Sequence, residues 1–117
     1  MGQIVQFAAL FYIIQLAHSL EELITGFHKK WYLFKIPFSL FFTFGVFHSL
    51  FWGLVLIQNQ FPFRTQLLAI FILLMFVNGI QHLIWFATVK KYVPGLLTAP
   101  AFVVLFFIFY YQILTSQ

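Results

Sequence analysis

The sequence contains no cysteine, only two acidic residues and few charged residues of any kind. Without cysteine the chain has no disulfide, no thiolate metal ligand and no cysteine nucleophile. Of its 117 residues 7% are charged, whereas 63% are hydrophobic and 23% are aromatic. A soluble domain needs a solvated surface rich in charge, so this composition excludes one. It predicts an all-α, polytopic membrane protein.

Prolines and short polar stretches divide the chain into four apolar segments. Each segment is near the ~20 residues that a helix needs to cross the hydrocarbon layer. Pro37 and Pro94 each stand where a helix can begin, and the linkers are too short to form another domain. We therefore predict a single domain over 1–117. It is a bundle of four transmembrane helices, at about 4–27, 37–59, 65–88 and 94–115.

Basic residues predict the orientation of this bundle. Five of the six lie in the first and third linkers and one, Arg64, lies in the second. By the positive-inside rule, the first and third linkers are cytoplasmic and both termini are outside. The net charge of +4 is thus explained by topology, and no nucleic-acid partner is expected.

Both acids lie inside the first apolar segment, close to its cytoplasmic end. Glu21 and Glu22 precede Lys29 by eight and seven residues, and His82 precedes Lys90 by eight. At the helical rise this places the three side chains about 10–12 Å below the charged edge. We expect them to share one layer of the bundle.

A second polar layer is predicted just beneath the first. His18, His48 and Asn78 lie about 16–18 Å below the same edge. His18 also shares a helical stripe with the two glutamates. A charge near the bilayer centre costs about 2.5–3.5 kcal/mol, so the acids should face the interior and pair with histidines or small polar groups.

Histidine and glutamate in such a layer predict either a metal site or a proton-transfer site. The candidate catalytic residues are Glu21, Glu22, His18 and His82. The candidate ligands for zinc or iron are His18, Glu22, His82 and His48. A metal-bound water would act as nucleophile, with the remaining glutamate as base, or a histidine and a protonated glutamate would move a proton. Both versions predict an intramembrane enzyme whose lipid or isoprenoid-like substrate enters sideways.

Two other functions fit the same residues. An intramembrane acid pair with histidines is typical of a proton or metal-ion path, which a four-helix chain would form as a homo-oligomer. A haem or quinone electron carrier would use His18 and His82 as axial ligands. The carrier is the weaker alternative, because it gives the glutamates no task.

Three motifs in order, HSLEE at 18–22, His82 and YVPG at 92–95, resemble the HXXEE-motif family of small bacterial and archaeal membrane proteins. That family is defined by its motif and carries no established activity. The resemblance implies that Tyr92, Pro94 and Gly95 belong to the site. Two interpretations of these residues are open: they begin the fourth helix, or they form a lid or headgroup contact at the cytoplasmic mouth of the site. It also implies a prokaryotic cytoplasmic membrane.

Overall fold

A computed structural model describes residues 2–116 of the chain. Over this range it contains four long helices, one helix of a single turn, and no strand. The prediction of an all-α protein is confirmed. The helices are α1 (Gly2–Thr25), α2 (Phe27–Lys30), α3 (Phe38–Ile57), α4 (Arg64–Val89) and α5 (Ala99–Thr115).

Three of the helices are long and apolar enough to cross a membrane. These are α1, α3 and α4, with 24, 20 and 26 residues. The fourth long helix, α5, is apolar but has 17 residues, which corresponds to about 26 Å at the helical rise. Large aliphatic and aromatic side chains lie exposed along all four, a surface suited to lipid rather than water.

The long helices pack around α4, which contacts α5 most extensively, then α1 and then α3. Phenylalanines fill the centre, with Phe11 of α1, Phe71 of α4 and Phe102 of α5 at most 1% exposed. At Gly79 the backbones of α4 and α5 approach so closely that a Cβ would lie 2.8 Å from the Ala99 carbonyl oxygen. This contact holds the beginning of α5 beside the C-terminal half of α4.

The predicted helix boundaries agree with the structure to within two residues except at the start of α5. Pro94 was predicted to open this helix, and that prediction is wrong, because the helix begins at residue 99. Residues 90–98, which we call linker 3, instead form turns in which Val93, Pro94 and Gly95 are buried. Linker 3 therefore folds back into the bundle, and Pro100 takes the helix-opening position.

Candidate functional site

Three side chains from α1 and α4 meet at a single point. His18 and Glu22 are one helical turn apart and project from the same face of α1, where α4 contributes His82. Glu22 Oε2 lies 3.2 Å from His18 Nε2 and 3.0 Å from His82 Nε2, and the two Nε2 atoms are 3.1 Å apart. Both histidines are fully buried and Glu22 is 9% exposed. We call these three atoms the His18–Glu22–His82 triangle.

The triangle has nearly the size that a four-coordinate metal ion requires. With bonds of about 2.0–2.1 Å, neighbouring ligand atoms of a tetrahedral zinc ion lie about 3.3–3.4 Å apart. The observed edges of 3.0–3.2 Å fall short of that by only a few tenths of an ångström. His18, Glu22 and His82 are thus close enough to hold a metal ion.

Glu21 has entirely different neighbours, although it is adjacent to Glu22. Its Oε1 accepts hydrogen bonds from the Thr98 amide at 3.1 Å and the Thr98 hydroxyl at 2.8 Å. Its Oε2 accepts one from the Leu97 amide at 3.0 Å and another from the Tyr92 hydroxyl. Glu22 therefore pairs with the histidines, whereas Glu21 pairs with the polar groups of linker 3.

Linker 3 packs directly on the two histidine rings at Gly95. A Cβ at this position would lie 2.5 Å from His82 Cε1 and 2.8 Å from His18 Cε1. The Gly95 φ angle is also +92°, in the left-handed region that other residues rarely adopt. Close approach and backbone conformation both require glycine here, which explains the last residue of YVPG.

Tyr92, the first residue of YVPG, donates its hydroxyl proton to the Glu21 carboxylate. It lies in linker 3, outside the helices, and its side chain is partly exposed. Partial burial raises the pKa of the Tyr92 hydroxyl, and the hydrogen bond that it donates to Glu21 raises that pKa further. The neutral phenol, which is the form able to donate, is therefore favoured.

An apolar cavity of about 700 Å³ lies between α1, α3 and α4, next to the triangle. Glu22 is on its wall, so the triangle and the cavity share this carboxylate. Leu16, Leu20 and Leu50 also line the cavity and are 44%, 57% and 65% exposed. The cavity thus opens sideways, through apolar side chains, between α1 and α3.

Two predicted site residues lie on the cavity wall rather than at the triangle. The His48 ring packs near the Phe71 ring, with centroids 6.4 Å apart, and it is not part of the metal-sized group. Asn78 accepts a hydrogen bond of 3.0 Å from Gln81, which accepts one of 3.2 Å from the Trp31 indole. Of the deeper layer predicted from sequence, His48 and Asn78 therefore contribute polar groups to the cavity. His18, predicted for the same layer, instead joins Glu22 and His82.

Thr98 is a site residue that sequence reasoning missed. Its hydroxyl oxygen lies 2.6 Å from His18 Nδ1 and 2.8 Å from Glu21 Oε1, so it connects the first two members of the HXXEE motif. No helical spacing indicates this contact, because it depends on how linker 3 folds back. The available signal is that Thr98 follows YVPG by three residues and is the single hydroxyl residue there.

Fold and site together define an all-α protein with three helices of membrane-spanning length and a buried His–Glu–His group. The sequence model of the family described as "Protein of unknown function with HXXEE motif" matches residues 9–111. The chain belongs to this family, as its motifs indicate. The matched range includes every site residue described above. No curated protein and no solved structure matches the chain.

Proposed function

We propose that this protein is an intramembrane enzyme that acts on a lipid or isoprenoid-like substrate with a zinc or iron ion held by His18, Glu22 and His82. The observation that carries the proposal is the triangle, with edges of 3.0–3.2 Å, beside a cavity to which Glu22 contributes. A metal ion held there would share the Glu22 carboxylate with the wall of the cavity.

The donor set supports a catalytic rather than a structural metal. Imidazole and carboxylate together suit zinc and iron. Catalytic zinc sites keep three protein ligands and leave one position open, whereas structural sites are closed by four. Bound there, the ion would polarise a substrate oxygen or activate a water molecule. His48 was expected as a fourth ligand, but it lies outside the group and suits a role in contacting substrate.

The proposal also includes an arrangement in which four helices cross the membrane. In it, α5 is the fourth span, and the buried part of linker 3 lies at membrane depth beside it. Non-helical backbone is tolerated at that depth where protein covers it, and Val93, Pro94 and Gly95 are buried. By the positive-inside rule the lysines of both linkers at this end favour a cytoplasmic location. The proposed setting is a prokaryotic cytoplasmic membrane, with the site near the cytoplasmic face and both termini outside.

The cavity supports a hydrophobic substrate. Its volume of about 700 Å³ lies within the range of about 300–1,000 Å³ typical of ligand pockets. Leucine, isoleucine, valine and phenylalanine dominate its wall, and its open side is apolar. A molecule already dissolved in the bilayer would enter without first crossing water.

Metal analysis of the detergent-purified protein tests the first part of the proposal. We expect about one zinc or iron ion per chain in the wild type and its loss in His18→Ala. His48→Ala is the matched control, since it removes a histidine from the wall of the adjacent cavity but outside the triangle. Absence of metal from the wild type, or equal loss in both variants, would contradict the assignment.

A blocked cavity tests the second part. Gly45 lines the cavity, and a Cβ added there meets no atom within 4 Å, so we expect the ring of Gly45→Trp to occupy the cavity. Phe47→Trp puts the same ring on the exposed side of α3, where Phe47 is 68% exposed. By mass spectrometry of co-purified lipid, we expect a lipid bound to the wild type and to Phe47→Trp. Gly45→Trp should lose it, and retention there would count against the cavity.

Turnover distinguishes an enzyme from a transporter. The co-purified lipid is returned to proteoliposomes, and its mass is followed with and without a chelator. We expect conversion that stops on chelation, returns with zinc or iron and is absent in Glu22→Gln. Metal-ion flux into the vesicles without any change in lipid would favour the transporter instead.

A further inference from the structure

We propose that Glu21 and Thr98 form a positioning pair that fixes His18 as the tautomer with its proton on Nδ1. The Nε2 lone pair of His18 then faces the triangle. The consequence for metal binding rests on the proposed function, whereas the tautomer is a property of the metal-free protein. Glu21 thereby acts through His18, in place of the direct catalytic role expected from the sequence.

The donors around Glu21 make its carboxylate an acceptor of hydrogen bonds. The Leu97 and Thr98 amides can only donate, and each carboxylate oxygen receives one of them, at 3.0 and 3.1 Å. Both oxygens of Glu21 are therefore acceptors. The Thr98 hydroxyl, 2.8 Å from Oε1, must then donate its proton to this carboxylate.

The Thr98 hydroxyl has a single proton to donate. The Gly95 carbonyl oxygen, at 3.4 Å, is a more distant and uncharged competitor for it. With the proton directed to Glu21, Thr98 Oγ1 presents only lone pairs to His18 Nδ1, 2.6 Å away. At that distance His18 Nδ1 must be the donor, and in a neutral imidazole Nε2 then carries no proton.

The reverse arrangement has a clear cost. If Thr98 donated to His18 Nδ1, two sets of lone pairs would face each other across the 2.8 Å between Thr98 Oγ1 and Glu21 Oε1. The His18 proton would also move to Nε2, into the triangle, where it would block a metal. Glu21 thus favours a free Nε2 on His18, which in the metal-free protein can accept a hydrogen bond from His82 Nε2 at 3.1 Å. It acts against the Glu22 carboxylate, 3.2 Å from the same nitrogen, which favours a proton there.

Partners of this kind are known to affect metal sites. A hydrogen bond to the far nitrogen of a ligating histidine fixes its tautomer and orientation, and its loss lowers metal affinity by about 10–100-fold. Thr98→Val keeps the size of the side chain but removes the hydroxyl. Thr98→Ser keeps the hydroxyl and removes a methyl group, so it is the matched control.

Nitrogen NMR of the metal-free protein, labelled with ¹⁵N in histidine, tests the inference. The His18 signals are assigned by their absence in His18→Ala. We expect the Nδ1–H tautomer in the wild type and in Thr98→Ser, and a shift toward Nε2–H in Thr98→Val. A wild-type His18 with its proton on Nε2 overturns the inference, even if Thr98→Val fails to fold. An unchanged tautomer in a folded Thr98→Val does the same.

Zinc titration of the same samples separates this inference from the proposed function. We expect Thr98→Val to bind zinc about 10–100-fold more weakly than the wild type, with Thr98→Ser close to the wild type. If the wild type binds no zinc, the proposed function fails while the tautomer result stands. If zinc binds equally well to Thr98→Val and the wild type, the positioning pair is refuted and the metal site survives.

Discussion

Glu21 and Glu22 are neighbours in sequence, yet they lie in two different environments. Successive helical residues point about 100° apart, so one carboxylate faces α4 while the other faces linker 3. Glu22 contacts His18 and His82 and is 9% exposed. Among the described residues, the hydrogen bonds to the Glu21 carboxylate come from linker 3. The paired acids of HXXEE therefore have two separate sets of contacts, which fit the proposed roles of metal binding for Glu22 and positioning for Glu21.

Neutralising each acid in turn should give the largest effect, a difference in zinc affinity between the two variants. We expect Glu22→Gln to weaken zinc binding by more than about 100-fold, because it removes a ligand. Glu21→Gln should weaken it by about 10–100-fold, the range for an outer partner. Isothermal titration on samples of equal helicity by circular dichroism measures both. An equal loss of zinc affinity in both variants, or a larger loss in Glu21→Gln, would contradict separate roles for the two acids.

Crowding the contact between linker 3 and the histidines should lower stability next most strongly. Gly95→Ala places a methyl group 2.5 Å from His82 Cε1 and keeps a positive φ. We expect the free energy of unfolding to fall by about 2–4 kcal/mol, from overpacking and backbone strain together. Thermal unfolding in detergent measures this. Gly45→Ala, which meets no atom within 4 Å, is the control and should unfold no earlier than the wild type.

Removing the outermost donor to Glu21 should have a smaller effect. Tyr92→Phe deletes one of four hydrogen bonds to this carboxylate. We expect a loss of about 0.5–1.5 kcal/mol in unfolding free energy, since the other three donors remain. Zinc affinity should stay within a few-fold of the wild type. A loss of zinc as large as that in Glu22→Gln would place Tyr92 at the metal rather than at Glu21.

The smallest expected effect is on the pH dependence of stability. Burial and the bond to Glu21 raise the pKa of Tyr92 in the folded state. The stabilisation that the neutral Tyr92 hydroxyl contributes is therefore fully present below the ordinary tyrosine pKa of about 10. It is lost as pH rises through the higher pKa that Tyr92 has in the folded state. Above pH 10 the difference in melting temperature between wild type and Tyr92→Phe should narrow. A difference in melting temperature that grows with pH would contradict this, because it would mean that folding lowers the pKa of Tyr92.

The helices and the main layer of the site could be predicted from the sequence. Apolar segments between basic linkers give α1, α3 and α4 to within two residues. Counting from each lysine pair predicted one layer for Glu21, Glu22 and His82, and of these Glu22 and His82 do meet, with side chains 3.0 Å apart. These features depend on composition and helical rise, which are local properties of the chain.

Linker 3 could not be predicted in the same way. Pro94 is compatible with a helix start, but in the structure Gly95 packs on the two histidine rings in a left-handed conformation, and Pro100 opens α5 instead. The contact of Thr98 with His18 joins residues 80 positions apart, so no spacing pattern contains it. The separate roles of Glu21 and Glu22 likewise become clear only when linker 3 is in place.

X-ray absorption at the edge of the bound metal tests the central claim most directly. For the detergent-purified wild type we predict zinc or iron with scattering from two imidazoles and at least one further oxygen, at about 2.0–2.2 Å. Loss of one imidazole, or of the metal itself, is predicted in His82→Ala. A wild-type protein without metal, or a spectrum without imidazole scattering, would contradict the assignment of His18, Glu22 and His82 as ligands.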